Sequence, residues 1–190
     1  MAIEKGNTNA MCNYASMLRY GEGIEVDKEE AIKYYKMAAV QGNTYAMCNI
    51  AIILENGGIK YYKMVIDKDN VNAMINCGCL FYIGKGVEVN KSETIKYFKM
   101  AADKGQPMAM SNYGYMLQHG EGIEANIKES IRYYKVAIDK GNAEAMCNYA
   151  KVLEDGEGTD AKIKEAIGYY KMSIDKGNFD AIYYYGYLFL

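Results

Sequence analysis

Residues 105–140 have the sequence GQPMAMSNYGYMLQHGEGIEANIKESIRYYKVAIDK, and the rest of the chain repeats this stretch with changes. The stretch begins with the opening glycine of a G-x-x-x-A block, and equivalent glycines stand at positions 6, 42, 141 and 177. Positions 6 and 42, 105 and 141, and 141 and 177 are each 36 residues apart. A fixed period in this range is typical of a solenoid, in which repeated supersecondary elements stack on their neighbours.

Each repeat is predicted to contain two helices. The first helices are expected over residues 8–19, 44–55, 71–82, 107–118, 143–154 and 179–190, and most end at a G-x-G turn. The second helix follows a capping Asp27, Asn90 or Asn126, with a glutamate three residues later. The pattern predicts an all-α fold, a right-handed α-solenoid (superhelix) of antiparallel helix pairs with a repeat of about 36 residues.

The whole chain, residues 1–190, is predicted to be a single repeat array. It consists of a partial second helix at 1–5, repeats that start at 6, 42, 69, 105 and 141, and a partial repeat at 177–190. Because both ends match the interior of a repeat, we expect a segment of a longer array or a small member of it. One repeat is shortened around residues 57–68, where nine residues are missing, so we expect a shorter second helix and a local kink.

The repeat pattern also resembles a known family. Residues 6–38 fit G-x-x-x-A-x-x-N-Y-[AG]-x-x-L-x-x-G-x-G-[IV] followed by A-[IL]-x-[YW]-[YF]-x-x-A, which resembles the Sel-1-like repeat, a relative of the tetratricopeptide repeat. Two departures occur: glutamate replaces the common proline after G-x-G-[IV], and tyrosine replaces the usual tryptophan of the second helix. The resemblance implies an adaptor or scaffold in complex assembly, quality control or signalling.

Composition argues against several kinds of partner and compartment. The formal net charge is −2 and the pI is about 5.6, whereas nucleic-acid binding favours strongly basic surfaces. The sequence contains no apolar run near the ~20 residues that a membrane span needs, and no signal peptide opens the chain. Five cysteines form an odd count without a paired framework, which favours a reducing compartment. We therefore expect a cytoplasmic protein that binds neither nucleic acid nor membrane.

The sequence offers little catalytic chemistry. His119 is the only histidine, which excludes a His-based metal cluster and several triad variants. Cys12, Cys48 and Cys147 share one repeat position, and Cys77 and Cys79 are expected to point to different faces of one helix. A cysteine-rich branch of the resembled family pairs two cysteines in each repeat and has been linked to β-lactam binding, but these second helices lack such pairs. We expect no enzyme, no cofactor and no metal site.

Comparison between repeats separates a held face of the first helix from a drifting face. The held positions, expected on the core side, are Ala109, Met110, Asn112, Tyr113, Gly114, Met116, Leu117 and their equivalents. The second helix is expected to bury Ile131, Tyr134, Ala137 and Ile138. Tyr133 and Val136 are expected beside them, where they would meet the first helix of the next repeat. The drifting positions lie three, six, ten and thirteen residues past the opening glycine, and we expect them to point away from the core.

These drifting positions are the candidate partner-binding groove, because first helices line the concave surface in superhelical helix pairs. The alternative is that they drift because nothing constrains them. The candidate residues are Tyr45, Cys48, Ile52, Glu55, Ile75, Cys79, Tyr82, Met108, Ser111, Tyr115, Gln118, Cys147, Lys151 and Glu154.

An asparagine is held beside this groove, at Asn13, Asn49, Asn76, Asn112 and Asn148. In tetratricopeptide-type proteins a held asparagine can clamp a peptide backbone. Here the favoured interpretation is a structural hydrogen bond to the adjoining turn.

The leading hypothesis is a non-enzymatic protein–protein interaction scaffold or adaptor that presents a concave groove to a protein or peptide. The alternatives are a small-molecule-binding or hydrolytic (β-lactamase-like) repeat protein, or a structural spacer of a larger protein. The last helix also carries an apolar face, from which we expect possible end-to-end self-association through residues 183–190. That face consists of Tyr183, Tyr184, Tyr185, Tyr187, Leu188, Phe189 and Leu190.

Overall fold

The structure is a computed structural model that describes residues 3, 6–54, 58–66, 70–84, 87–156 and 162–188. The described part of the chain contains eleven α-helices and no strand. The helices are α1 (Thr8–Tyr20), α2 (Lys28–Val40), α3 (Thr44–Ile53), α4 (Gly58–Ile66), α5 (Val71–Ile83), α6 (Lys91–Asp103), α7 (Pro107–His119), α8 (Ile127–Asp139), α9 (Ala143–Asp155), α10 (Ile163–Asp175) and α11 (Phe179–Tyr187).

Local signals fix both ends of the first helices. Most begin after an asparagine whose side chain caps the helix; the Asn142 carboxamide oxygen, for example, accepts from the Ala145 N–H at 2.7 Å. Helix α7 instead begins with Pro107, at the position where a missing N–H removes no helical bond. Helix α7 ends at Gly120, whose φ of 67° lies in the left-handed region that favours glycine.

The second helices begin as the sequence predicts. The Asp27 and Asn126 side chains accept from the backbone N–H groups of Glu30 and Glu129, at 2.9 Å and 3.0 Å. This half of a capping box satisfies a donor that has no partner within the helix.

The chain divides into two compact units, Met1–Asn90 and Lys91–Leu190. In the first unit each helix from α1 to α5 packs on the next one in sequence. Its buried core includes Tyr35, Ile50 and Met74. In the second unit consecutive helices from α6 to α11 pack in the same way, and the first helices α7, α9 and α11 also contact one another in that order.

The held face of the first helix lies in the core as predicted. On α7 every held residue is buried except Asn112, which is half-buried. Gly114 is held small because a Cβ there would lie 2.8 Å from the Tyr134 ring of α8. On the second helix, Tyr134 and Ala137 are buried as expected, but Ile131 and Ile138 are only half-buried.

Aromatic pairing explains this shift on the second helix. The ring of Tyr133 is buried edge-to-face against Tyr113 of α7, with centroids 4.9 Å apart at 89°. The same pair recurs as Tyr14 with Tyr34 at 4.9 Å and as Tyr149 with Tyr169 at 5.0 Å. The tyrosine that replaces the family's tryptophan therefore packs on the preceding first helix, and each pair contributes about 0.5–1.5 kcal/mol beyond the area that it buries.

Within the described residues, helix α4 of the shortened repeat spans 9 residues, whereas α8 spans 13. The shortening and the local kink stay predictions, because residues 55–57 and 67–69 on either side of α4 lie outside the described part of the chain. The predictions that concern Gly57, Lys68, Asp69, the turn glycines Gly86 and Gly158, and the ends at residues 1–5 and 189–190 lie wholly or mostly outside the described residues.

Candidate functional site

The drifting positions of the first helices do not share one environment. The residues three and ten past the opening glycine are mostly exposed, and they include apolar side chains. Tyr45 is 55% exposed and Ile52 49%, both on α3, while Met108 is 51% exposed and Tyr115 37%, both on α7. Cys79 on α5 is also exposed. These residues point into solvent although apolar side chains are usually buried.

In the repeats that start at 6, 42, 69, 105 and 141, the described residues six and thirteen past the opening glycine point inward instead, whereas Tyr183, at position six of the last repeat, is exposed. The expectation that they point away from the core is wrong for Ile75, Ser111, Gln118 and Cys147, all of which are buried. Cys48, Tyr82 and Glu154 are half-buried, and so is Lys151 at position ten. Within the second unit the reason is that the adjacent first helix packs over these positions. Glu55 lies outside the described residues.

A further exposed position of the first helices does not belong to the drifting set. The residue fourteen past the opening glycine is exposed in each described repeat, as Tyr20, Ile83, His119 and Asp155. It lies four residues beyond the tenth position, and side chains four apart share a helix face. The sequence indicates this exposure, because the residue at position fourteen also differs from repeat to repeat.

We call the exposed residues at positions three, ten and fourteen the exposed stripe. In the first unit the exposed stripe consists of Asn9, Tyr20, Tyr45, Ile52, Asn72, Cys79 and Ile83. In the second unit it consists of Met108, Tyr115, His119, Glu144, Asp155, Asp180 and Tyr187.

Tyrosine hydroxyls from the second helices hold the inward-pointing residues in place. The Tyr134 hydroxyl donates to Gln118 Oε1 at 2.9 Å, and the Tyr170 hydroxyl donates to Glu154 Oε2 at 2.7 Å. The Tyr35 hydroxyl also makes a 2.8 Å hydrogen bond with the hydroxyl of Ser16, a half-buried residue at position ten. Burial, followed by the Glu154 carboxylate, raises the pKa of Tyr170, so this phenol stays protonated as the donor.

Neighbouring first helices are also linked to each other by polar and cationic contacts. Arg19 of α1 donates to Asn49 Oδ1 of α3 at 2.8 Å. In the second unit Asn148 of α9 donates to the Ser111 hydroxyl of α7 at 3.4 Å. The Lys151 ammonium of α9 lies 4.5 Å from the centroid of the Tyr184 ring of α11.

These contacts correct the expected role of the held asparagines. The favoured bond to the adjoining turn is not what Asn49 and Asn148 make. The Asn49 amide donates to the Tyr45 carbonyl of its own helix at 2.9 Å, and its oxygen accepts from Arg19. Asn49 and Asn148 therefore join neighbouring repeats, which is a structural role with a different partner from the one expected.

The cysteines and the histidine have the environments that the sequence suggests. Cys77 is buried and Cys79 is exposed on the same helix. His119 is the last residue of α7, is exposed, and packs on the Tyr115 ring at 4.3 Å between centroids. Among the described residues no group of three or more His, Cys, Asp or Glu side chains is placed to hold a metal ion.

Burial raises the pKa of the Cys147 thiol to about 11, with a smaller contribution from the Asp180 carboxylate of α11. This thiol is therefore protonated at neutral pH, which makes it a poor nucleophile. In the part of the chain that the structure describes, no helix is long and apolar enough to cross a membrane.

These features define an α-solenoid in which non-covalent polar contacts join neighbouring first helices beneath the exposed stripe. A family model described as Sel1 repeat matches residues 8–43, 71–106, 107–142 and 143–178, which is more than half of the chain. The chain therefore belongs to the Sel1 repeat family, as its repeat pattern predicted. The unmatched residues 44–70 contain the short helix α4.

Solved structures support the same fold. A protective antigen of uropathogenic Escherichia coli strains with an SLR fold has 24% sequence identity and a TM-score of 0.82, over 98% of this chain and 42% of the antigen. A Sel1 repeat protein from Oxalobacter formigenes has 26% identity and a TM-score of 0.78, over 93% of this chain and 76% of that protein.

An immunity protein from Pseudomonas aeruginosa is similar at 19% identity and a TM-score of 0.59, over 93% of this chain and 67% of that protein. The chain thus spans less than half the length of the E. coli antigen. No sequence among the curated proteins matches it. The helices and these neighbours confirm the predicted all-α solenoid class.

Proposed function

We propose that the chain is a non-enzymatic binding scaffold whose exposed stripe contacts a protein or peptide partner. The observation that carries the proposal is the exposure of Tyr45 and Ile52 in the first unit and of Met108 and Tyr115 in the second. These are side chains that protein interfaces use, since aromatic residues and methionine are enriched there. Membership of the Sel1 repeat family supports a scaffold role.

The arrangement beneath the stripe supports the same proposal. Inward residues such as Gln118 and Glu154 are tied to the second helices by tyrosine hydroxyls, so the backbone that presents the stripe is firmly held. A preorganised surface loses less conformational entropy when it binds a partner. In this proposal the buried candidates Ile75, Ser111, Gln118 and Cys147 support the surface, and the exposed ones contact the partner.

The outward face of the second helices is less suited to binding. Lys33, Lys96 and Arg132 each pair with the capping glutamate three residues before them, at 2.6 Å, 3.4 Å and 2.6 Å. Such exposed pairs contribute little energy and mark a solvated surface. The odd number of cysteines supports a cytoplasmic location for the scaffold.

Selection from a library of short random peptides tests this proposal. We expect selected peptides to lose about tenfold in affinity, or about 1.4 kcal/mol, for M108S/Y115S, which alters the second unit, or for Y45S/I52S, which alters the first. The matched controls V136S/M172S and M37S/V40S remove exposed apolar side chains from second helices and should bind normally. Equal losses for stripe and control variants, or no selected peptide, would contradict the proposal and favour a structural spacer.

A second candidate interaction is association with another copy through α11. Phe179 and Ile182 are exposed there, whereas Met146, which occupies the position of Ile182 in the preceding repeat, is buried. An apolar patch of this kind often marks a contact surface. Light scattering over a range of concentrations should show a growing mass that F179S/I182S abolishes. A constant monomer mass would contradict self-association.

A further inference from the structure

Residues of α9 and α11 line a cavity of about 230 Å³ that is open to solvent, on the side of the second unit that carries the exposed stripe. Its lining is unusual because it combines three phenol rings with two carboxylates and one ammonium. The lining residues are Lys151, Glu154, Asp155, Tyr183, Tyr184 and Tyr187. Phenol rings supply flat, polarisable walls, and carboxylates supply acceptors for N–H donors.

The aromatic wall is already arranged as a cluster. The Tyr183 ring lies 5.4 Å from Tyr184 at 76° and 6.1 Å from Tyr187. Tyr183 is 68% exposed and Tyr187 63%, so most of each side chain is accessible to a ligand. Because the two rings contact each other, they are already held in position, and less conformational entropy is lost when a ligand packs on them.

Cations of this chain already lie over two tyrosines of the same helix. Lys151 Nζ is 4.5 Å from the Tyr184 centroid, and Lys171 Nζ is 5.7 Å from the Tyr185 centroid. Tyrosine faces attract cations through the ring quadrupole. Among the described residues no cation lies over Tyr183 or Tyr187.

The charge around the cavity is complementary to a cationic ligand. The cavity is lined by the two carboxylates of Glu154 and Asp155 and by the single ammonium of Lys151, so its lining carries an excess of negative charge. A partly enclosed site of one sign concentrates ligands of the opposite sign.

We propose that this cavity binds an arginine side chain of a peptide partner, with the guanidinium on the Tyr183 and Tyr187 rings and its N–H groups directed to Glu154 and Asp155. Arginine fits better than lysine, because a guanidinium is flat, weakly hydrated, stacks on aromatic rings and pairs with carboxylates in a bidentate way. The inference rests on the proposed function, since it names the chemistry of the partner that the stripe contacts.

The direct test uses a small probe rather than a peptide, so it can be judged apart from the proposed function. N-acetyl-arginine amide is titrated into protein with isotope-labelled tyrosine rings, and the ring resonances are followed by NMR. We expect saturable shifts at Tyr183 and Tyr187, and at least about fivefold weaker binding of the citrulline analogue, which keeps the shape but lacks the charge. No saturable shift, or equal binding of citrulline, would overturn the inference.

Variants locate the binding. Y183L/Y187L should abolish the saturable shift of the remaining tyrosines, and D155N should weaken it. M172S, which removes an exposed apolar side chain from the second helix α10 of the same unit, should leave the shift unchanged. If Y183L/Y187L binds the probe as well as the parent chain, the inference is overturned. If selected peptides depend on the stripe but are insensitive to arginine-to-citrulline replacement, the inference fails and the scaffold proposal stands.

Discussion

The Tyr134 hydroxyl of α8 donates a 2.9 Å hydrogen bond to Gln118 Oε1 of α7, and both residues are buried. This bond joins the two helices of a repeat directly beneath the exposed stripe. The equivalent bond from Tyr170 reaches Glu154, so the link is kept while its acceptor changes. Buried polar groups that satisfy each other specify one helix-pair geometry, because any other pairing leaves an acceptor without its donor.

Replacing Tyr134 with phenylalanine should therefore destabilise the chain by about 1–2 kcal/mol, since a buried amide oxygen loses a donor. The ring itself is tolerated, because Phe98 occupies the equivalent position of another repeat. Urea denaturation followed by circular dichroism would measure the change. The double variant Y134F/Q118M should cost less than the sum of the single variants, and additive losses would show that the bond is not coupled.

The Tyr113–Tyr133 ring pair should contribute coupling energy of its own. A double-mutant cycle with Y113L and Y133L is expected to give about 0.5–1.5 kcal/mol, as edge-to-face pairs do. The measurement is the free energy of unfolding of the four proteins. A coupling energy near zero would mean that the recurring ring geometry reflects burial alone.

The same substitution at two glycines should have opposite effects. Gly120 has a φ of 67°, so G120A should destabilise by about 1–2 kcal/mol. Gly168 lies within α10, is exposed, and has open space where a Cβ would stand. G168A should therefore stabilise by about 0.5–1 kcal/mol. Thermal melting of both variants measures the change in stability. A change of the same sign for G120A and G168A would contradict the left-handed turn at Gly120 or the helical environment of Gly168.

Stability should fall at alkaline pH partly because of Cys147. Its thiol has a pKa of about 11 in the folded chain against an ordinary 9.0. The pKa is raised on folding, so the stabilisation is complete below pH 9 and is lost as pH rises toward 11. C147S is a suitable control, because Ser111 occupies the equivalent position. The variant should lose less stability than the parent chain between pH 8 and pH 10.5, and an identical loss would contradict the raised pKa.

The fold was largely predictable from the sequence because the same short signals recur in each repeat. Period, capping residues and turn glycines each act locally, so helix order and most boundaries followed without tertiary information. The environment of the drifting positions did not follow. Ser111 and Cys147 drift like exposed residues, yet they are buried. Their burial depends on how closely the adjacent first helix approaches, and a single repeat does not determine that distance.

The asparagine contacts were missed for the same reason. Asn148 bonds to Ser111 of the preceding repeat, 37 residues away. A helix pattern identifies which face a residue occupies, but it does not identify the neighbour on that face. The exposed position at Tyr20 and His119, in contrast, could have been found from helical spacing alone.

The proposed scaffold function requires that the partner contacts the first helices and not the second. Photo-crosslinking tests it most directly, with p-benzoylphenylalanine in place of Tyr115 on α7 or of Val136 on α8, both of which are exposed positions of the second unit. A selected peptide is added and the chain is irradiated after circular dichroism has shown that both proteins are folded. If the first helices contact the partner, crosslinking is expected from position 115, with little from position 136. Equal crosslinking from both positions, or crosslinking from position 136 alone, would contradict it.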